Sequence, residues 1–385
     1  MTDYNTRYTE ALFSLLRIAL CKERPSEDFG MQLSGDEWMA VYKMADEQAL
    51  TGVIYKAIET LQADQRPPFD MLLEWVANAE TVSGQNRIFS AEARRLTELF
   101  ASEDHRSAIL KGQANARLYP DPHSRQPGDI DIWVDGGRKN VVNMLRRLGL
   151  LEEGPLHKVD RRSKATASYH HVHLPVNEQG VTVEIHFRPS SGNLNPFTNR
   201  RLQRWMEQEI QHTTVVDEGF RVPSIRFALI MQLAHIQRHF LAEGIGLRQI
   251  CDYFMLLRHA TEDDRQALVA TLRPFGLRHT AGALMWLLGE KLHLESGLML
   301  CEKDARRGEW MLRKILEDGN FGCYAPQQQY GLWRRFLHAR WQRVKMMRFD
   351  FWEVLWLEIN YWKQFFLLIP TRIKFRSLSL RVVPQ

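Results

Sequence analysis

Gly128-Asp129-Ile130-Asp131-Ile132-Trp133-Val134 decides how the rest of this 385-residue chain is read. Side chains alternate across a strand, so Asp129, Asp131 and Trp133 share one face while Ile130, Ile132 and Val134 take the other. The apolar face packs and the acidic face is left to a site. A second stretch, Val181-Thr-Val-Glu-Ile-His-Phe187, carries the same alternation. Val181, Val183, Ile185 and Phe187 form its apolar set, with Thr182, Glu184, His186 and Arg188 opposite. If the two strands are neighbours in register, Asp129, Asp131 and Glu184 converge. Carboxylates that close raise one another's pKa or repel unless cations neutralise them. Magnesium suits the role, because it takes oxygen ligands and commonly binds one or two carboxylates together with substrate phosphates. Two such ions, about 3.5–4 Å apart, serve the attacking and leaving oxygens of an in-line displacement at phosphorus. The expected ligands are therefore Asp129, Asp131 and Glu184, with two Mg2+ ions.

Upstream, Ala108-Ile-Leu110 reads as a short strand running into Lys111-Gly112-Gln113, a strand-to-helix turn. Glycine there permits close backbone approach, and a helix start offers free amide donors to an anion. Lys111, Gly112, Gln113, Arg125 and His186 are thus expected around a nucleotide, Lys111 and Arg125 by charge. Pro120-Asp-Pro122 stops the short helix that begins at Gln113. Strand candidates at Tyr169 to Pro175 and Val181 to Phe187, joined by the hairpin-like Val176-Asn-Glu-Gln-Gly180, complete a small mixed sheet backed by helices. Helical periodicity dominates residues 1–97 and again from Pro223. Ser34-Gly-Asp-Glu37 has the spacing of a capping box. The fold class expected is α+β: a small mixed β-sheet core at 98–215 between α-helical modules at 1–97 and 216–330, followed by a tail at 331–385.

That tail holds eleven Lys/Arg against three acids, +8 of a formal net charge of +5, so the first 330 residues sum to −3. It interleaves the cations with Trp333, Trp341, Phe351, Trp352, Trp356, Trp362, Phe365 and Phe366. Glu353, Glu358 and Lys363 interrupt its most apolar stretch, which argues against a spanning helix. A basic aromatic segment of this kind fits an anionic membrane surface or RNA; a helix folded onto the body with a solvated basic face fits the same composition. Four scattered cysteines, Cys21, Cys251, Cys301 and Cys323, give neither a disulfide framework nor a zinc knuckle. The N-terminus lacks the basic start and unbroken apolar run of a secretory signal. A cytoplasmic, membrane-peripheral protein is the expectation.

Several other groups carry a chemical and a bland reading side by side. His171 and His173 point the same way on their strand, as do Glu184 and His186, yet the spacing of His170, His171 and His173 matches no zinc motif. Nucleotide or acceptor contact and ordinary strand packing both remain open for them. His235 and His239, at i and i+4, share a helix face and read as packing. Arg248 and Asp252, with the same spacing, read most simply as an ion pair within their helix, with an indirect role lining the cleft as the alternative.

Leu110-Lys-Gly-Gln, Leu118-Tyr-Pro-Asp-Pro, Arg125, Gly128 to Val134, His170-His-Val-His-Leu174 and Val183-Glu-Ile-His-Phe-Arg188 together resemble an uncharacterised bacterial nucleotidyltransferase family of the polymerase-beta-like superfamily. Gly246-Leu-Arg-Gln-Ile-Cys-Asp252 and Gly319-Asn-Phe-Gly322 extend the resemblance over most of 105–325. It implies a nucleotidyltransferase core, metal carboxylates at Asp129, Asp131 and Glu184, and nucleotide contact near Gly112. The activity expected is magnesium-dependent transfer of an NMP from an NTP, ATP first, to a hydroxyl of an acceptor the sequence does not identify. Two departures stand out: Gln113 replaces the usual Ser or Gly, and 15 residues separate it from Asp129. They motivate an alternative, a catalytically inactive protein of the same fold that docks to a membrane or partner through its basic tail. RNA-directed transfer is a third reading.

Overall fold

A computed structural model describes residues 7–24, 33–151, 166–167, 170–320, 331–367 and 369. Tyr169, Phe321, Gly322, Cys323 and the tail beyond residue 369, including Arg372, Lys374, Arg376 and Arg381, lie outside the described residues.

The sheet forms where β-branched and aromatic residues alternate with polar ones. Its strands are β1 (Ser107–Ile109), β2 (Ile130–Val134), β3 (Thr166–Ala167), β4 (His171–His173) and β5 (Val183–His186), in spatial order β1-β2-β5-β4-β3. β1 runs antiparallel to β2, β2 parallel to β5, and β4 antiparallel to β5. The sheet is mixed, as the alternation and the hairpin composition of Val176–Gly180 require. Asn177 and the positive φ of Gly180 (+78°) close that turn.

One apolar face of the sheet packs on Phe89, Ala93, Leu96 and Phe100, and on Val141, Met144 and Leu145. The first four belong to α4 (Phe69–Ser102), a 34-residue helix, and the last three to α6 (Gly137–Arg147). A second and larger core joins α1 (Arg7–Cys21), α2 (Gly35–Glu47) and α3 (Thr51–Ile58) to α8 (Ile225–Ala242), α9 (Leu247–His259), α11 (Arg278–Lys291) and α12 (Ala305–Asp318). Helices from both ends of the sequence therefore share one interior. Gln48 ties them with two buried bonds, donating to the Ile315 carbonyl at 2.9 Å and accepting from the Leu247 amide at 2.8 Å. The Ser34–Glu37 capping box opens α2 with both reciprocal bonds in place.

The remaining elements include α5 (Gln113–Ala116), α7 (Pro196–Glu209), and the hairpin of β6 (Thr213–Val215) and β7 (Arg221–Pro223), which the sequence reading overlooked. The tail forms two helices, α13 (Leu332–Met346) and α14 (Phe351–Leu367). Glu353 of α14 accepts from the amides of Leu194 (2.8 Å) and Asn195 (3.0 Å) at the start of α7, fastening the tail to the core. Among the described residues no helix is long and apolar enough to cross a membrane.

Candidate active site

Register brings the carboxylates together. Asp131 pairs with Glu184 across the parallel β2–β5 ladder, and Trp133 with His186. Register partners project from the same sheet face with Cβ atoms about 5 Å apart. Asp129 stands just before β2, its side chain 39% exposed against 2% for Asp131, so it forms the solvent-side lip of the cluster.

Two cationic groups meet this negative charge. The Lys111 ammonium lies 2.9 Å from Asp131 Oδ2 and 3.8 Å from Asp129 Oδ1. Burial favours the neutral amine, but Asp131, Asp129 and Glu184 outweigh it and hold the lysine pKa above its ordinary value. His186 Nε2 lies 3.0 Å from Asp131 Oδ1 and 3.3 Å from Glu184 Oε2. Burial pulls its pKa down; hydrogen bonds to the two carboxylates overcome that and raise it to about 9. Glu184 shows the converse, since burial pushes it up while His186 brings it down to about 2. The site thus holds Glu184 ionised against a lysine and an imidazolium.

On the far side of Glu184, β4 and the residue before it supply three more histidines. Antiparallel register sets His171 opposite His186 and His173 opposite Glu184. His173 Nδ1 is 3.3 Å from Glu184 Oε1 and His171 Nδ1 is 3.7 Å from Glu184 Oε2. Burial is the main reason that His170 is lowered to about 2 and His171 to about 4, so both rings are neutral at pH 7. The sequence spacing of these histidines gave no zinc motif; the strand pairing gathers them around Glu184 all the same. Oxygen and nitrogen donors close enough to share an ion occur in three overlapping sets: Asp131, Glu184 and His186; His171, His173 and Glu184; His170, His171 and His186.

The expected phosphate contacts are placed differently from one another. Gly112 has φ +65°, and a Cβ there would come within 3.2 Å of the Asp129 carbonyl, so only glycine fits between the turn and the entry to β2. The Gln113 side chain is buried and turned to α4, where Nε2 lies 3.4 Å from Asn86 Oδ1, and it does not face the cleft. Arg125 is also buried. Its Nε and Nη2 donate to Asp252 at 2.6 and 2.7 Å, and Tyr119 donates to the same carboxylate at 2.8 Å. Asp252 therefore pairs with Arg125 and not with Arg248, as helical spacing suggested. Arg248 Nη1 instead donates to the carbonyls of Gln126 (3.0 Å) and Pro127 (3.1 Å). A guanidinium reaches farther than one helical turn, and burial favours a partner that satisfies two of its N–H groups at once.

These bonds explain the long interval between Gln113 and Asp129. Asn86 adds donors to the carbonyls of His123 (2.8 Å) and Arg125 (2.6 Å), so the segment is tied to α4 on one side and α9 on the other before it delivers Asp129. Asn86 was invisible as a site residue, and the partners of Asp252 and Arg248 could not be foreseen, because each acts across a sequence separation that no local pattern reports. A narrow cleft remains between the lip and helices α8 and α9, lined by Lys111, Gly112, Asp129, Gln232, His235 and Arg248. His235, read as packing, lines this cleft. Its pKa is driven down chiefly by burial and then by His239 and Lys111, which keeps the ring neutral. His239 turns outward to Glu243 at 2.9 Å.

No curated protein matches the sequence. Among solved structures, the crystal structure of an antigenic nucleotidyltransferase-like protein from Paracoccidioides brasiliensis aligns at 15% identity over 56% of this chain and 94% of that one, with a TM-score of 0.33. Residues 34–293, two-thirds of the chain, match the family described as uncharacterised nucleotidyltransferase, and the chain belongs to that family.

Proposed function

We propose that the protein is a divalent-metal-dependent nucleotidyltransferase that moves a nucleoside monophosphate from an NTP, ATP first, to a hydroxyl of an acceptor. The observation that carries this reading is the pairing of Asp131 with Glu184 on adjacent parallel strands, with Asp129 at the lip and the Lys111 ammonium between the two aspartates. The donor set fits Mg2+: three carboxylates supply hard oxygen ligands, and Lys111 stands where positive charge is already required. Asp129, Asp131 and Glu184 would hold the magnesium, which would supply Lewis-acid chemistry at phosphorus.

The chain's own groups do the rest. His186 bridges Asp131 and Glu184 and fixes their orientation. Lys111 brings a buried positive charge to the mouth of the cleft, beside the Gly112 backbone, where a triphosphate is expected. In the reaction the acceptor oxygen bonds the α-phosphorus and the bond from that phosphorus to its bridging oxygen breaks. Pyrophosphate leaves, and the hydroxyl proton passes to water. The burial of Gln113 away from the cleft removes one ground for a fold kept without turnover.

Incubating the full chain with α-labelled NTPs, Mg2+ and fractionated acceptors (small molecules, RNA, protein) tests the reading. Asp131→Ala and Glu184→Ala should lower label transfer by about 10²-fold or more, the loss expected when several kcal/mol of charge stabilisation go. His239→Ala should retain it. Equal behaviour of Asp131→Ala and His239→Ala would sink the proposal.

We infer in addition that the tail brings the protein to an anionic phospholipid surface. On α13, Trp333, Leu337, Trp341 and Val344 form one exposed stripe, and on α14 Trp352, Ile359, Trp362 and Phe366 form another. Stripes of Trp, Phe and Leu flanked by Arg334, Lys345, Arg348 and Lys363 match a helix lying in a membrane interface better than a solvated face.

A further inference from the structure

We propose that the face of β4 and β5 beyond the carboxylates is a second metal position, formed by His171, His173 and Glu184, for a borderline divalent ion of the Zn2+ class. It deepens the reading above, since Glu184 is shared, but its ligands are largely different. The residues come together for a reason of register. On β4 the sequence His171-Val-His173 exposes two imidazoles on one face, and β5 sets Glu184 and His186 directly opposite them.

The three side chains face one another at close range, the separate contacts being made through different ring nitrogens. His171 Nε2 and His173 Nε2 are 2.9 Å apart, His173 Nδ1 and Glu184 Oε1 3.3 Å, and His171 Nδ1 and Glu184 Oε2 3.7 Å. Donor atoms bonded tetrahedrally at about 2.0–2.2 Å stand about 3.3–3.5 Å from one another. One donor atom from each of the three residues falls within 4.8 Å of the others, so small side-chain rotations suffice to close the set.

An orienting partner is present as well. His171 Nδ1 lies 2.8 Å from His170 Nε2, which leaves His171 Nε2 turned toward His173. Metal-bound histidines commonly fix their ring in this way, with the second nitrogen engaged by a neighbour. Two imidazoles and one carboxylate form a donor set that selects Zn2+, Co2+ or a similar ion over Mg2+. Glu184 then stands between two positions of different character: an oxygen-rich one toward Asp131 and Asp129, and a nitrogen-rich one toward His171 and His173. Three protein ligands leave a coordination place for water or an acceptor group.

Titrating the full-length protein with Co2+ in excess Mg2+ tests this without reference to turnover. One equivalent should bind with the visible absorption bands of a low-coordinate, nitrogen-ligated ion, and Zn2+ should displace it. The bands should vanish in His171→Ala and His173→Ala and persist in Asp129→Ala, with circular dichroism confirming that each variant is folded. His170→Ala should weaken binding by about 10–100-fold. Wild-type protein that binds no Co2+ in the presence of Mg2+, or bands that survive both histidine substitutions, would overturn the assignment. Label transfer measured in parallel separates the two proposals: intact Co2+ bands without any nucleotidyl transfer leave the metal position standing and remove the reaction.

Discussion

Replacing Asp252 with alanine should destabilise the protein by about 4–6 kcal/mol. The carboxylate accepts two charge-assisted bonds from Arg125 and one from Tyr119, all between 2.6 and 2.8 Å, in an environment where Asp252 is 1% exposed. Removing one member of a buried pair strands the other charge, which costs about 3–5 kcal/mol. The orphaned Tyr119 hydroxyl adds at least about 1 kcal/mol. Arg248, buried beside Arg125, makes the stranded state worse, because two guanidinium groups would then face each other with no anion between them. Such a loss is a large part of a typical stability of about 5–15 kcal/mol. Urea unfolding followed by circular dichroism measures it, and hydrogen exchange over residues 119–131 shows where it falls. Arg125→Met alone should cost a similar amount, since it strands Asp252. The double variant Arg125→Met/Asp252→Leu should recover most of the loss, as apolar replacement of buried pairs often does. If Arg125 instead served the nucleotide directly, Arg125→Met would raise the KM for NTP and leave stability within about 1 kcal/mol, where substitutions away from buried networks usually fall. That outcome, or a double variant no more stable than the single ones, would refute the positioning role.

Two further predictions concern the tail. Burial, reinforced by Asp350, raises Glu353 from 4.5 to about 7 despite the amide donors of Asn195 and Leu194. An acid bound more tightly to its proton in the folded state stabilises below its unfolded pKa and loses that contribution as pH rises through the folded one, so stability should fall by up to about 3 kcal/mol between pH 4.5 and 8 at about 1.36 kcal/mol per unit. Glu353→Gln should flatten this part of the profile in urea titrations at several pH values; an equally steep fall in the variant would contradict it. Sedimentation with phosphatidylglycerol vesicles should carry the protein down at low salt and release it at high salt, with Trp333→Ser/Trp341→Ser losing association. Binding to neutral and anionic vesicles alike, or tight salt-sensitive binding to RNA instead, would count against the lipid surface.

The acidic half of the site was legible because alternation along a strand is a local rule. Asp131 and Glu184 could be put on polar faces from the sequence, and only the register had to be supplied. The histidines needed more. His170, His171 and His173 are close in sequence but follow no metal-motif spacing, and their meaning appears only when β4 is laid beside Glu184. Asp252 and Arg248 were misread for a different reason. Helical spacing suggested a bond between Arg248 and Asp252, but a buried guanidinium follows the nearest partners that satisfy its donors, here 122 and 127 residues away. The overlooked hairpin of Thr213–Val215 and Arg221–Pro223 did carry a local signal: a β-branched run, Thr213-Thr-Val-Val216, and the alternating Phe220-Arg-Val222 on either side of Asp217-Glu-Gly219, with Gly219 at φ +87°. Helical periodicity identified buried faces correctly but says nothing about which helix covers them. For that reason the shared core of the N- and C-terminal helices was not visible in the sequence.

The tethers around Arg125 bear on where specificity resides. Asp129 is delivered by a segment whose backbone carbonyls are held by Asn86 from one side and Arg248 from the other, while Asp252 fixes its Arg125 side chain. The position of Asp129 relative to Lys111 is therefore set by α4 and α9 and not by the strand alone. The helices α8 and α9 also supply Gln232, His235 and Arg248 to the cleft wall facing that lip. Asp131 and Glu184, by contrast, are fixed by strand register. The opposing wall lies on helices outside that ladder. On the proposed reading, nucleotide and acceptor choice belong to α8 and α9, and the reaction itself to β2 and β5.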